Sequence, residues 1–216
     1  EKLVFGVPKE IMVGERRVAA TPETVKKFTA GGATVLVEKG AGSGIFASDD
    51  EYVEAGAKIV EDVEEIFKEA QIILKVKEPL FNKEKGKDEV DMMHKGQVIV
   101  TFLHPAAPTN HGMVKKLVDK GITALTLDGI PRITRAQAMD ALTSMSSVAG
   151  YKSVLMAANE LPKFIPMTGT AVGVLQPASV FVMGVGVAGL QAIATAKRLG
   201  AVVRSEERRV GKECRS

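Results

Sequence analysis

The chain has 216 residues, 45% hydrophobic and 25% charged, and its 29 basic and 26 acidic side chains leave a formal charge of +3. This is the balance of a soluble globular protein with enough chain for a substantial core, and it excludes a disordered tail, a collagen-like repeat and a disulfide scaffold. No long basic block occurs, and with no Trp and two Tyr there is little to stack on bases, so nucleic acid is not an expected partner. In chain order, residues 3–7 form a short apolar strand ended by Pro8. Thr21-Pro22-Glu23 supplies the cap, first-position proline and first-turn acid of a helix over 23–30, which stops at Gly31-Gly32. A strand at 34–38, a helix capped by Ser48, a short strand at 57–60, a helix at 62–70 and a strand at 71–76 follow. Residues 88–94 read as helical, 97–103 as a strong strand, Thr109 as the cap of a helix to 120, and 122–127 as a closing strand. Strands separated by helices of this length imply parallel crossovers, and nearly all-apolar strands imply a sheet covered on both faces.

Residues 133–161 change character: a long helical pattern rich in Ala, Met and Ser, read as a connector between two domains. Residues 164–196 then carry no charge, long enough on paper to cross a bilayer, with a small-xxx-small spacing at Gly169 and Gly173. Pro166, Pro177, recurrent glycines, Gln176 and Gln191 favour a buried strand, turn and helix instead. Within this stretch Gly184, Gly186 and Gly189 make G-x-G-x-x-G between an apolar strand and an amphipathic helix that Gly200 ends. In that context the first glycine allows a tight turn, the second lets backbone approach a diphosphate, and the third lets the helix pack on the strand. Val187 and Ala188 lie at the helix N-terminus that faces the phosphates. Such sites place an acid at the end of the next strand, where Glu207 stands beside Glu206. The segment 205–216 is polar and patternless, and reads as a foreign or divergent tail. Its Cys214, the single cysteine, has no partner for an internal disulfide and favours a reducing compartment. With neither an initiator Met nor an apolar leader, the chain reads as a fragment or processed product.

Two polar clusters stand out. Arg17, Lys77 and His104 follow strands of the first half, where open parallel sheets bind ligands, and would suit a small carboxylate or 2-oxo acid. The plain alternative makes Lys75, Lys77 and Glu78 solvated loop charges and His104 a turn residue. Further on, Gln137, Asp140 and Ser144 share one face of the expected helix, with Thr143 beside them and Arg132 before them. That group is either an Arg132–Asp140 clamp or a holder for a nicotinamide ring. No metal is expected.

Together these segments resemble the alanine dehydrogenase and pyridine nucleotide transhydrogenase family over residues 4–203. The signatures are Pro8-Lys9-Glu10, the run from Gly14 through Arg17 to Pro22, Leu74-Lys75-Val76-Lys77-Glu78-Pro79 and Thr101-Phe102-Leu103-His104. In alanine dehydrogenases the matching Arg, Lys and His bind and protonate pyruvate. The run from Arg132 through Gln137, Asp140 and Thr143, and the long run from Gly184 to Val203, resemble the NAD(H)-binding component of proton-translocating transhydrogenase. The resemblance implies an α/β fold of two Rossmann-like parallel-sheet domains joined by a long helix, the second truncated. It divides the chain into residues 1–132, a connecting helix at 133–162, the start of an NAD(H) domain at 163–204, and the tail.

It implies direct hydride transfer between NAD(H) on this chain and NADP(H) on a partner domain, with Arg132, Gln137, Asp140 and Thr143 orienting the nicotinamide and its ribose. The family carries serine where this chain has Thr143. Membrane and NADP(H)-binding subunits are the implied partners, with a homodimer of this component, cytoplasmic and peripheral to a bacterial inner membrane. A soluble amino-acid dehydrogenase, such as an alanine dehydrogenase, and an inactive nucleotide-binding fragment are the alternatives. Because the family continues past the second strand of its NAD domain, this chain alone is expected to bind NAD weakly or not at all.

Overall fold

The computed structural model describes residues 2–207 and separates into two compact units, Glu1–Ile130 and Pro131–Ser216. Arg208 onward, with Cys214 and most of the expected tail, lies outside the described residues.

The first unit is one six-stranded parallel sheet. Its strands are β1 (Val4–Val7), β2 (Thr34–Glu38), β3 (Lys58–Val60), β4 (Ile72–Leu74), β5 (Val98–Thr101) and β6 (Thr123–Thr126), in spatial order β3-β2-β1-β4-β5-β6. Crossovers run through α1 (Pro22–Ala30), α2 (Asp49–Glu54), α3 (Val63–Glu69), α4 (Glu89–Met92) and α5 (His111–Asp119), and the order reverses between β1 and β4. Apolar residues cover both sheet faces. Leu36, Ile66, Phe67, Ile73 and Ile99 are buried in one cluster, and Val7, Val25, Val35, Val37 and Tyr52 in the other. A side chain on Gly6 of β1 would meet Ile66 Cγ2 at 2.6 Å and Ala70 Cβ at 2.8 Å, so glycine there lets α3 lie close on the sheet.

The helix starts follow from their caps. Thr21 accepts from Thr24 N, and Asp62 accepts from Glu64 N at 2.9 Å. Ser48 and Glu51 form a reciprocal capping box. Thr109 does not cap α5: a short 3₁₀ turn, Pro108–Asn110, precedes the helix, and Asn110 sits at the cap without a side-chain bond to it. Its Nδ2 instead donates to Leu103 O at 2.9 Å, tying the turn to the end of β5. Residues 88–94 yield only the four-residue α4, preceded by a small hairpin of Phe81–Asn82 with Lys87–Asp88.

In the second unit, the expected helix over 133–161 begins later. Thr134–Met139 is a 3₁₀ turn, and α6 runs Ala141–Glu160. Asp140, at φ −80° and ψ 84°, is the break, because its carboxylate caps the helix rather than continuing it. A hairpin, Thr168–Thr170 with Gly173–Leu175, leads to β7 (Ser179–Met183), α7 (Val187–Arg198) and β8 (Val202–Glu206), with β7 and β8 parallel. Gly200, at φ +87°, ends α7 as expected, and Ala201 N bonds to Ala196 O at 3.0 Å. Strand β8 continues through Ser205 and Glu206, so the patternless reading of those two residues is corrected. Their ladder bonds are backbone bonds that any residue supplies. No helix among the described residues is long and apolar enough to cross a membrane.

Candidate functional site

Among the described residues, the helix start that follows the glycine turn of the second unit leaves backbone amides without a partner. Gly184 has φ +91° and donates its N–H to Glu206 O at 2.7 Å, locking the turn to the end of β8. Gly186 caps α7 without a side-chain bond, and open space surrounds the position its Cβ would take. Leu190 N, 2.8 Å from Gly186 O, makes the first backbone hydrogen bond of the helix, which leaves the amides of Val187, Ala188 and Gly189 at its mouth. A Cβ on Gly189 would overlap the Gly184 carbonyl, its carbon 2.9 Å away, so only glycine lets α7 start this close to the turn. Glu207 reaches back to the same turn, and its Oε2 accepts from Val185 N at 2.8 Å.

Before α6, the structure joins two of the four expected nicotinamide residues directly. Asp140 is buried, and its oxygens accept from Thr143 N at 3.0 Å and Thr143 Oγ1 at 2.6 Å. The Thr143 hydroxyl is the main cause of a carboxyl held below its ordinary range, and the Arg132 charge adds to it. Gln137 is exposed on the 3₁₀ turn, so it does not share a helical face with Asp140 and Ser144.

In the first unit, the strand ends are occupied by charge. After β4, the Lys75 side chain is fully buried, its Nζ 2.9 Å from Glu89 Oε1 and 3.4 Å from Glu10 Oε2. Glu10 also accepts from Val76 N at 2.6 Å and Lys77 N at 3.3 Å, and Glu89 from Leu80 N at 2.9 Å. Burial pushes the Glu89 carboxyl up despite the neighbouring ammonium. The reading of Lys75 as a solvated loop charge is therefore corrected. Beyond it, Lys77 Nζ lies 3.5 Å from His104 Nε2, and His104 Nδ1 lies 2.8 Å from Asp128 Oδ1. His104 sits at φ +47°, a left-handed conformation costly for a residue with a Cβ, fixed by its N–H donating to Asp128 Oδ2 at 2.8 Å. Burial raises the Asp128 carboxyl, but bonds from Thr126 and the His104 amide outweigh it and the net shift is downward. Arg17 forms a two-pronged pair with Glu15, at 2.8 and 2.6 Å, and the Glu10 charge acts on it as well.

Family models match nearly the whole chain: the alanine dehydrogenase/PNT N-terminal domain over residues 6–149 and the C-terminal domain over 153–214. The chain belongs to the alanine dehydrogenase/PNT family. It is 47% identical to an NAD(P) transhydrogenase subunit alpha protein of Rhodospirillum rubrum, over 92% of this chain and 51% of that protein. It is 38% identical to an alanine dehydrogenase of Methanococcus maripaludis, over 93% of this chain and 52% of that one. A transhydrogenase crystal structure from Sinorhizobium meliloti superposes with a TM-score of 0.87 at 40% identity, covering 96% of this chain and 57% of the other. The chain thus spans about half the length of these relatives.

Glu10, Lys75, Glu89, Thr126 and Asp128 are the residues at these strand ends whose partners sequence reasoning missed. Lys75 had a signal, an ammonium in an otherwise apolar strand run, which needs a buried partner. Asp128 had none beyond following a strand.

Proposed function

We propose that this chain is the NAD(H)-binding component of a proton-translocating NAD(P) transhydrogenase, passing hydride directly between NAD(H) and NADP(H) held by a partner subunit. The observation that carries this reading is the glycine turn. Three helix-start amides and a bare Gly186 fit a diphosphate, which needs donors and close backbone approach. Bound NAD(H) supplies the hydride donor or acceptor. The chain's own residues then hold it: the amides of Val187, Ala188 and Gly189 take the diphosphate, and Asp140, Thr143, Arg132 and Gln137 orient the nicotinamide ribose and ring. Asp140 is suited to accept from ribose hydroxyls because it stays ionised. Transfer between two nicotinamides needs no protein acid or base, so placement and exclusion of water are the chain's share.

Glu207 is assigned the adenosine ribose, and sequencing the gene past the Val203 codon checks it: a different residue there moves that role. The component works as a homodimer, held at the cytoplasmic face of a bacterial inner membrane by membrane and NADP(H)-binding subunits. The test is whether the full natural chain, with those subunits, reduces an NAD analogue with NADPH. No turnover despite tight NADH binding would select an inactive nucleotide-binding protein.

A second reading rests on Lys77, His104 and Asp128. An ammonium beside an imidazole whose other nitrogen is held by a carboxylate suits binding and protonating a small 2-oxo acid. Pyruvate- and ammonia-dependent NADH oxidation by the full chain alone would select an amino-acid dehydrogenase.

A further inference from the structure

Helix α6 touches the glycine turn at one place that tolerates no side chain. Gly150 is buried, and a Cβ built on it would overlap the Ala188 carbonyl, lying 2.9 Å from its carbon and 3.0 Å from the Ala188 Cα. These are backbone atoms of the first turn of α7, so they cannot swing aside as a flexible side chain would. The same face of α6 carries Thr143. Seven residues on a helix return to nearly the same direction, about 10 Å further along. Burial follows that face: Gly150 and Val154 are buried and Thr143 half-buried, whereas Ser144 and Val148 are exposed. One continuous helix therefore carries the Asp140–Thr143 pair at its start and meets the start of α7 two turns later.

We propose that Gly150 is a positioning residue for the dinucleotide, setting the spacing between the amides that face the diphosphate and the Asp140–Thr143 pair. This rests on the NAD(H) reading above and extends it to a residue that touches no cofactor. A ligand bound at both ends reads the spacing, whereas a ligand that ends at the diphosphate does not. A Gly150→Ala change leaves α6 itself sound, since alanine is the better helix former, but forces the two helices apart.

The test compares NADH with ADP on the full natural chain by calorimetry. In Gly150→Ala, NADH affinity is expected to fall about tenfold or more while ADP stays within about twofold of wild type. Thr143→Val should cost NADH alone in the same way, and the double variant should lose little more than either single change. If Gly150→Ala does not fold, Val154→Ile carries the test: one extra methylene on the same face, with a smaller NADH-selective loss. Equal weakening of both ligands would reduce Gly150 to general packing and overturn the proposal, as would no change in either. Wild-type protein that binds neither ligand defeats the NAD(H) reading itself, and this inference with it.

Discussion

Each unit contains an apolar strand that leads into a turn, β1 in the first and β7 in the second, and the two turns are filled in opposite ways. After β1, the first unit inserts Glu10, which shares Lys75, at the carboxyl end of β4, with Glu89 of α4, where the sheet order reverses. Beside the place where such sheets usually take a ligand, the protein thus buries ions of its own. After β7, the second unit inserts glycines, leaves the Gly186 position open and leaves three amides at the helix start. One turn is thus filled by a charged side chain and the other is left bare, and the difference lies in a few residues after the strand. What polarity the first unit offers moves sideways, to Lys77 and His104 beyond β4 and β5.

The most damaging way to break this contrast is Lys75→Met, which strands two buried carboxylates. A loss of about 3–5 kcal/mol is expected by denaturant unfolding of the first unit. The neutral combination Glu10→Gln, Lys75→Met and Glu89→Gln should recover most of it, and failure to recover would show that the ions do more than offset one another's charge.

Next comes Gly186→Val. Among the described residues a Cβ there meets nothing within 4 Å, so in the full natural chain the melting temperature should move little, while NADH affinity falls on the order of a hundredfold. Retained affinity in calorimetry would mean that the turn does not meet the diphosphate. Gly189→Ala sharpens the distinction, because its methyl meets the Gly184 carbonyl and should cost about 1–3 kcal/mol of stability even without ligand.

The smallest effect belongs to Glu15, whose carboxyl the Arg17 guanidinium lowers from 4.5 to about 2. The folded state binds that proton more weakly than the unfolded chain. The contribution is therefore complete above about pH 4.5 and lost as pH falls through about 2. Arg17 is partly exposed, so Glu15→Gln should remove under about 1 kcal/mol above that window and nothing below it, read from paired denaturation curves.

The parallel sheet was legible because its strands are uniformly apolar and its helices carry local caps such as Thr21 and Ser48, signals that sit within four residues of the element they start. The glycine turn was legible for the same reason. The burial of Lys75 was not, since its partners lie 65 residues before and 14 after it, and only the folded sheet brings them together. The break at Asp140 was hidden because a capping side chain competes with a strong helical pattern, and periodicity alone does not decide that contest. Asn110 displaced Thr109 for a similar reason: its amide answers a carbonyl at the end of β5 that the local sequence does not reveal.

The unclaimed amides at the start of α7 have a consequence outside chemistry. A molecule that leaves donors waiting holds part of its cohesion in reserve, and an occupant that satisfies them stabilises the native state in proportion to the logarithm of its concentration over Kd. Resistance to heat and to proteases should then rise and fall with the supply of that occupant, so abundance in the cell would track nucleotide availability without any separate sensor.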